Sequence, residues 1–288
     1  MEKFVLIFLF LGISHTHASE VDSFSKRHEN LNNALIPLNK ITNEWLKQAA
    51  KRTQNCSQEN LHKAIKRKFN RFGWSKFERM VNKAKFIPKQ KAPKDHVYSY
   101  FPGFGKPMTI IHFPQVMSPL LNMSGHWIGS DKFSHFFNEG YNYYQKVMGP
   151  EGSINKALAY GKWMEQTYWG LKTTGIYSYA DLSANFQGFL FFKNLTQGLK
   201  PYFACKDRKW QQIRNFDWSR YIDASWDESV NCNDFRNEEL SNHFRKRLSE
   251  LENNLQTNLS CPLKSEICFD LREKYGDFAS HILSPQCY

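Results

Sequence analysis

The sequence predicts a mainly α-helical fold with one small β-hairpin, flanked by a basic helical N-terminal region and a disulfide-containing C-terminal extension. Three observations predict it. Apolar residues recur at helical spacing through residues 41–84, 132–168 and 237–254. A Gly/Thr-rich turn, with Gly170, Thr173, Thr174 and Gly175, breaks that periodicity and leads into a short β-like run over residues 176–181. Five of the six cysteines lie after residue 200. An even set in an exported chain implies disulfides.

Residues 1–18 read as a secretory signal peptide. Glu2 and Lys3 precede an apolar run over 4–13, and Thr16, His17 and Ala18 follow with small residues at the cleavage positions. The run is too short to span a bilayer. The chain is therefore expected to be secreted.

Residues 19–95 form a basic helical region, with 18 Lys/Arg against 7 Asp/Glu; residues 96–288 carry 20 against 19. Ile41, Trp45, Leu46 and Ala49 share one helical face. Leu61, Ala64, Ile65, Phe69 and Phe72 share another, and Ser75 with Glu78 makes a capping box ahead of Phe77, Met80 and Val81. Lys63, Lys66, Arg67 and Arg71 are left to face outward. Such a patch either recruits an anionic wall polymer or is a solvated face that aids solubility. No nucleic acid partner is expected, and the chain is expected to be a monomer.

The stretch PKQKAPK (88–94) is a linker by composition. Residues 96–200 form the expected core. Residues 98–119, broken by prolines and glycines, read as irregular or a small hairpin. Helices follow over 132–147 (Phe133, Phe136, Phe137, Tyr141 and Tyr144 on one side), 154–168 (Ala157, Leu158, Gly161, Met164 and Tyr168 inward) and 181–195 (Leu182, Phe186, Phe189, Leu190 and Phe192 buried), the last readable also as strand. Residues 201–288 are a Cys-rich region expected to pack on the core, with a helix over 237–254 that buries Leu240, Phe244, Leu248 and Leu251. No CxxC pair is present, so a zinc site is the weaker explanation of the cysteines.

Residues 96–200 hold only five carboxylates: Asp131, Glu139, Glu151, Glu165 and Asp181. Glycoside cleavage needs a proton donor at the leaving oxygen and a group that stabilises or hydrates the cationic carbon. An apolar, aromatic setting keeps such a donor protonated. Glu165, beside Trp163, Met164, Tyr168 and Trp169, fits that role better than Glu151 in its polar turn. Asp181 is either the second carboxylate or the N-cap of the next helix. Tyr177, Ser178 and Tyr179 would floor a groove and bind sugar. In DKFSHFFNEGYNYY (131–144), Asp131, His135 and Glu139 recur at four-residue spacing. They read as a metal face, as a row with Glu139 in the acid role, or as a buried hydrogen-bonded row. No HExxH or HxH spacing accompanies them, and neither metal nor other cofactor is expected.

DKFSHFFNEGYNYY, the E-x4-G segment from Glu165 to Gly170, and TTGIYSYADLSANFQGFLFF together resemble secreted lysozyme-like muramidases of predatory bacteria that act on deacetylated peptidoglycan. The resemblance spans roughly residues 125–200. It implies a goose-lysozyme-like helical core with one essential glutamate and no strict need for a second carboxylate. Glu165 best matches that glutamate and Glu139 is the reserve; His135 and Asn185 are expected to help bind substrate. The chain departs from a minimal lysozyme in its basic N-terminal region and its Cys-rich C-terminal third. The expected activity is cleavage of the β-1,4 backbone of peptidoglycan, by hydrolysis or transglycosylation, with a preference for deacetylated wall. The competing readings are a metal-dependent hydrolase at Asp131 and His135, with Asp181 as an additional candidate ligand, and a non-catalytic wall-binding protein.

Overall fold

The computed structural model describes residues 20–71, 74–101 and 117–288. The expected signal peptide, Phe72 and residues 102–116 lie outside this set. The elements, in chain order, are α1 (Leu35–Lys51), α2 (Gln58–Phe69), β1 (Asn70–Arg71), β2 (Trp74–Ser75), α3 (Lys76–Lys83), β3 (Leu120–Met123), β4 (His126–Gly129), α4 (Lys132–Ser134), a π turn (His135–Glu139), α5 (Gly140–Met148) and α6 (Ile154–Gln166). Then come β5 (Ile176–Tyr177), α7 (Tyr179–Lys193), β6 (Phe203–Lys206), β7 (Lys209–Gln212), β8 (Asp234–Phe235), α8 (Glu238–Leu255), α9 (Ser265–Tyr275) and α10 (Ala279–Ile282). The fold is mainly α. The strands make separate two-stranded antiparallel ribbons: β1 with β2, β3 with β4, β5 with β8, and β6 with β7.

Side-chain caps set five of the ten α-helix starts among the described residues. Ser57, Ser75, Ser153, Ser178 and Asn237 each accept the backbone N–H three residues on, at 3.0–3.3 Å. Each cap is worth about 1 kcal/mol. The cap of α7 is thus Ser178, not Asp181, which leaves the Asp181 carboxylate available elsewhere. Helix α6 stops at Gln166, so Tyr168 falls beyond the period that pointed it inward and is 58% exposed. The β3–β4 connection is a two-residue loop, with Ser124 and Gly125 both at positive φ (57° and 92°). That backbone matches the twist of a tight hairpin.

Helix α7 is the axis of the molecule: twelve of its fifteen residues are buried. It packs on the continuous α4–π–α5 helix. The two approach closely because both carry glycine at the crossing. A Cβ on Gly140 would lie 2.5 Å from Gly188 Cα, and one on Gly188 would lie 2.0 Å from the Phe136 carbonyl. Around this pair sits an aromatic core in which Phe133, Phe136 and Phe137 contact Phe77, Phe69, Phe191 and Trp218. The N-terminal helices dock through Trp45, Phe69 and Phe77.

The C-terminal third is woven into this core. Asn43 exchanges two hydrogen bonds with Phe216 (2.7 and 2.8 Å), and Asn39 accepts from Trp218 N (2.8 Å). All six cysteines are paired: Cys56–Cys205, Cys232–Cys261 and Cys268–Cys287. Two bridges staple the C-terminal third, and the first ties the α1–α2 loop to β6. No helix among the described residues is long and apolar enough to cross a membrane.

Candidate active site

At the crossing of α4 and α7 lies a buried cluster of charge. Its centre is Lys132, the first residue of α4, whose side chain is completely enclosed. Its ammonium reaches Asp131 Oδ2 at 2.8 Å, Asp181 Oδ1 at 2.6 Å and Glu228 Oε1 at 2.6 Å. The ammonium donates to Asp131 and Glu228 and is ion-paired with Asp181. Burial alone would lower the lysine pKa. The carboxylates of Asp131, Asp181 and Glu228 outweigh it and hold the ammonium well above its usual range. Gly129 makes room for this arrangement, since a Cβ there would sit 2.1 Å from Asp131 Oδ1.

The shell around Lys132 is polar and specific. Glu228 also accepts from Ser178 Oγ (3.1 Å) and Asn233 Nδ2 (2.8 Å). His135 faces Asp181 Oδ2 through Nε2 (3.2 Å) and Asn185 Oδ1 through Nδ1 (3.1 Å). Asp181 is thereby held between a lysine and a histidine.

Glu165 is the penultimate residue of α6 and only 1% exposed. Its Oε1 is buried with no hydrogen-bond partner. Burial, followed by repulsion from Asp181 and Glu20, raises its pKa well above the usual carboxylate range; Lys132 and the Ser178 N–H oppose the shift without cancelling it. Gly170 lets the chain double back here, because a Cβ on it would meet the Glu165 carbonyl at 2.2 Å. The Leu171 N–H closes the turn onto that carbonyl at 2.8 Å.

Two further acids complete the cluster. Burial, then the charge of Glu228, raises the Glu20 pKa well above its usual range. Glu78 of α3 is half-buried as a residue, but its carboxyl lies deep; burial, then Asp131, pushes it up to about 8. Asp131 is likewise raised, by burial first and with Lys132 opposing. Six carboxylates surround one lysine and one histidine. At low effective dielectric so many negative charges repel, which adds to burial in raising Glu20, Glu78, Asp131 and Glu165.

Beside this cluster, two cavities of about 790 and 560 Å³ share Leu171 and Asp234 in their walls and so adjoin across the β5–β8 ribbon. The larger reaches Glu228 and is walled by Phe24, Tyr98, Phe235 and Phe244. The smaller is lined by Tyr177, Tyr179 and Tyr288, with Lys162 and Gln166 of α6. Tyr179 OH donates to Asp234 Oδ2 at 2.6 Å. Tyr177 lies within electrostatic range of Glu165, whose charge helps raise the tyrosine pKa after burial.

The site residues named from the sequence are thus distributed as follows. Glu165, Asp181, His135 and Asp131 come together around Lys132. Tyr177 and Tyr179 line a cavity. Ser178 is buried, capping α7 and bonding Glu228. Asn185 is buried behind His135. Glu139 stands apart: its carboxylate accepts from Asn138 Nδ2 (2.8 Å), Asn142 Nδ2 (3.2 Å) and Tyr160 OH (3.2 Å). Asn138, Asn142 and Tyr160 give Glu139 a hydrogen-bonded shell of its own, separate from the one around Lys132. The run after Glu165 is also not a local hairpin: β5 pairs with β8, from the C-terminal third.

Lys132, Glu228, Glu20 and Glu78 were not foreseen. Lys132 did carry a signal, being a lone cation in the aromatic run DKFSHFF. The others come from segments far apart in sequence, and no local pattern marks them. Asp131, His135 and Asp181 each offer a ligand atom within 4.8 Å of the others, a spacing a metal ion could bridge. Lys132 Nζ already bonds both of those carboxylates, so a cation stands where a metal would have to compete. No protein-family model, curated protein or solved structure matches this chain.

Proposed function

We propose that the chain is a secreted glycoside-cleaving enzyme of the muramidase type, acting on the β-1,4 backbone of peptidoglycan. Glu165 is the proton donor and Asp181 the second carboxylate. The observation that carries this reading is the contrast between the two acids. Glu165 is enclosed, has an unpartnered oxygen and is driven to keep its proton. Asp181, its strongest electrostatic neighbour, is ion-paired to Lys132 and faces His135. A buried acid held toward its protonated form, beside a carboxylate that is ion-paired, is an arrangement that acid-assisted glycoside cleavage uses.

In the proposed step, Glu165 gives its proton to the leaving glycosidic oxygen as the C–O bond breaks. Asp181 stabilises the positive charge that develops at the anomeric carbon. A water adds to that carbon and returns a proton to Glu165. Lys132 and His135 position Asp181. The adjoining cavities, walled by Tyr177 and Tyr179 but by neither Glu165 nor Asp181, suit a chain of sugar rings, whose faces stack on aromatics and whose hydroxyls bond to polar edges.

A second reading, a metal-dependent hydrolase, is favoured by the spacing of Asp131, His135 and Asp181. One experiment separates the two: digestion of acetylated and deacetylated sacculi, with and without a chelator, with products analysed by mass spectrometry. Release of muropeptides that is indifferent to chelator and absent in Glu165→Gln supports the glycosidase. Chelator-sensitive release that survives Glu165→Gln overturns it. The mass of the product end distinguishes hydrolysis from transglycosylation, and the relative rates report the acetylation preference.

A further inference from the structure

We propose that Arg52, Lys68 and Lys76 form a binding site for a linear phosphate polymer on the outer face of the three N-terminal helices. The three cations come from different places: the end of α1, the last turn of α2 and the start of α3. Two of the heads are held in place. Lys68 Nζ donates to Gln48 Oε1 at 2.6 Å and lies 4.6 Å from the centre of the Trp45 ring. Lys76 Nζ donates to the Arg67 carbonyl at 2.9 Å, across the C-terminal end of α2. Arg52 and Lys76 are exposed and Lys68 is half-buried.

The charges reinforce one another instead of being neutralised. Burial lowers the Lys68 pKa, and repulsion from Arg52 and Lys76 lowers it further. The carboxylates of α1–α3 do not relieve this. Glu59 is paired with Lys63 one turn into α2. Glu78 turns its carboxyl inward toward Asp131 and Lys132. Glu44 lies on α1 two turns before Arg52. Like charges drawn together cost free energy that a bound anion recovers. Separately anchored heads favour several anions in a row over one small ion, and an arginine fork matches phosphate oxygens. This inference does not depend on the glycosidase reading, because it concerns another face of the molecule and is measured without any cleavage.

The test is binding of the full secreted chain to inorganic polyphosphate, followed across a salt series. The expected result is binding that weakens as salt rises, as the Debye length falls from about 10 Å at 0.1 M to about 3 Å at 1 M. The triple variant R52Q/K68Q/K76Q is expected to lose at least about tenfold in affinity. A charge-matched control, K172Q/K200Q/K246Q, built on exposed lysines elsewhere, is expected to lose less than about threefold. Equal losses in the two triples would reduce the effect to net charge and overturn the site. So would failure of the wild type to bind at low salt, or binding to vesicles of anionic lipid without binding to polyphosphate. Should the triple variant melt early, Arg52→Gln alone, at an exposed helix end, must still weaken binding measurably; an unchanged affinity there also sinks the proposal.

Discussion

Glu165 and Lys132 are opposite solutions to the same problem, a charged group taken out of water. Lys132 keeps its charge because three carboxylates surround it; Glu165 keeps its proton because none of its neighbours offers enough positive charge. Glu165→Gln preserves size and removes the acidic proton, so glycan release is expected to fall by roughly a thousandfold or more. The variant should still fold, since a neutral amide replaces a group that is itself held neutral; sugar release and a melting curve measured side by side check both halves. Activity of the wild type is expected to decline as pH rises past the point where Glu165 loses its proton, and a pH–rate profile reads this limb. Lys132→Met makes the reverse error. It leaves Asp131, Asp181 and Glu228 without their shared cation, and breaking a buried ion pair from one side costs about 3–5 kcal/mol. Denaturant unfolding near neutral pH is the measurement, and an unchanged midpoint would contradict the central role given to Lys132.

At the scale of elements, the site depends on how closely α7 meets the α4–π–α5 helix. Gly188→Ala places a methyl group 2.0 Å from the Phe136 carbonyl, so the helices must separate. The expected loss is about 1–3 kcal/mol, as for other overpacked cores, read as a lowered melting temperature. Because the same crossing sets the distance from His135 to Asp181, activity should fall further than stability alone explains. Helix periodicity was legible in sequence for most of the helices, though α9 (Ser265–Tyr275) was not read, and the cap at Ser75 sits where Glu78 placed it. The π turn was not legible. The four-residue row also gave no sign that Glu139 would bond to Asn138, Asn142 and Tyr160 and not to the residues around Lys132.

On the scale of the whole molecule, the buried acids make stability depend on pH. In the folded state Glu20, Glu78 and Glu165 all have raised pKa values, so the native chain holds protons that the unfolded chain has released. Their contribution to stability is then full below about 4.5, the ordinary glutamate value, and falls as pH rises toward about 8, where Glu78 gives up its proton. Unfolding midpoints between pH 5 and pH 9 test this, and a midpoint that rises over that range would refute the assignment. The Cys56–Cys205 bridge spans 149 residues and joins the basic helices to β6. Replacing both cysteines by serine is expected to cost about 2–4 kcal/mol, measured by thermal unfolding of the double variant against wild type.

Local chemistry wrote the helices, their caps, the even cysteine set and the segregation of positive charge, because each depends on neighbours within a few residues. It also singled out Glu165 and Asp181, since an acid set among aromatics and an acid near a helix start are visible in a short window. The partners of those acids were decided only by the tertiary structure. Lys132, Glu20, Glu78 and Glu228 meet where four distant segments are packed together, and β5 finds its partner strand nearly sixty residues downstream. A pKa is set by burial and by charges nearby in space, and neither quantity exists until the chain has folded.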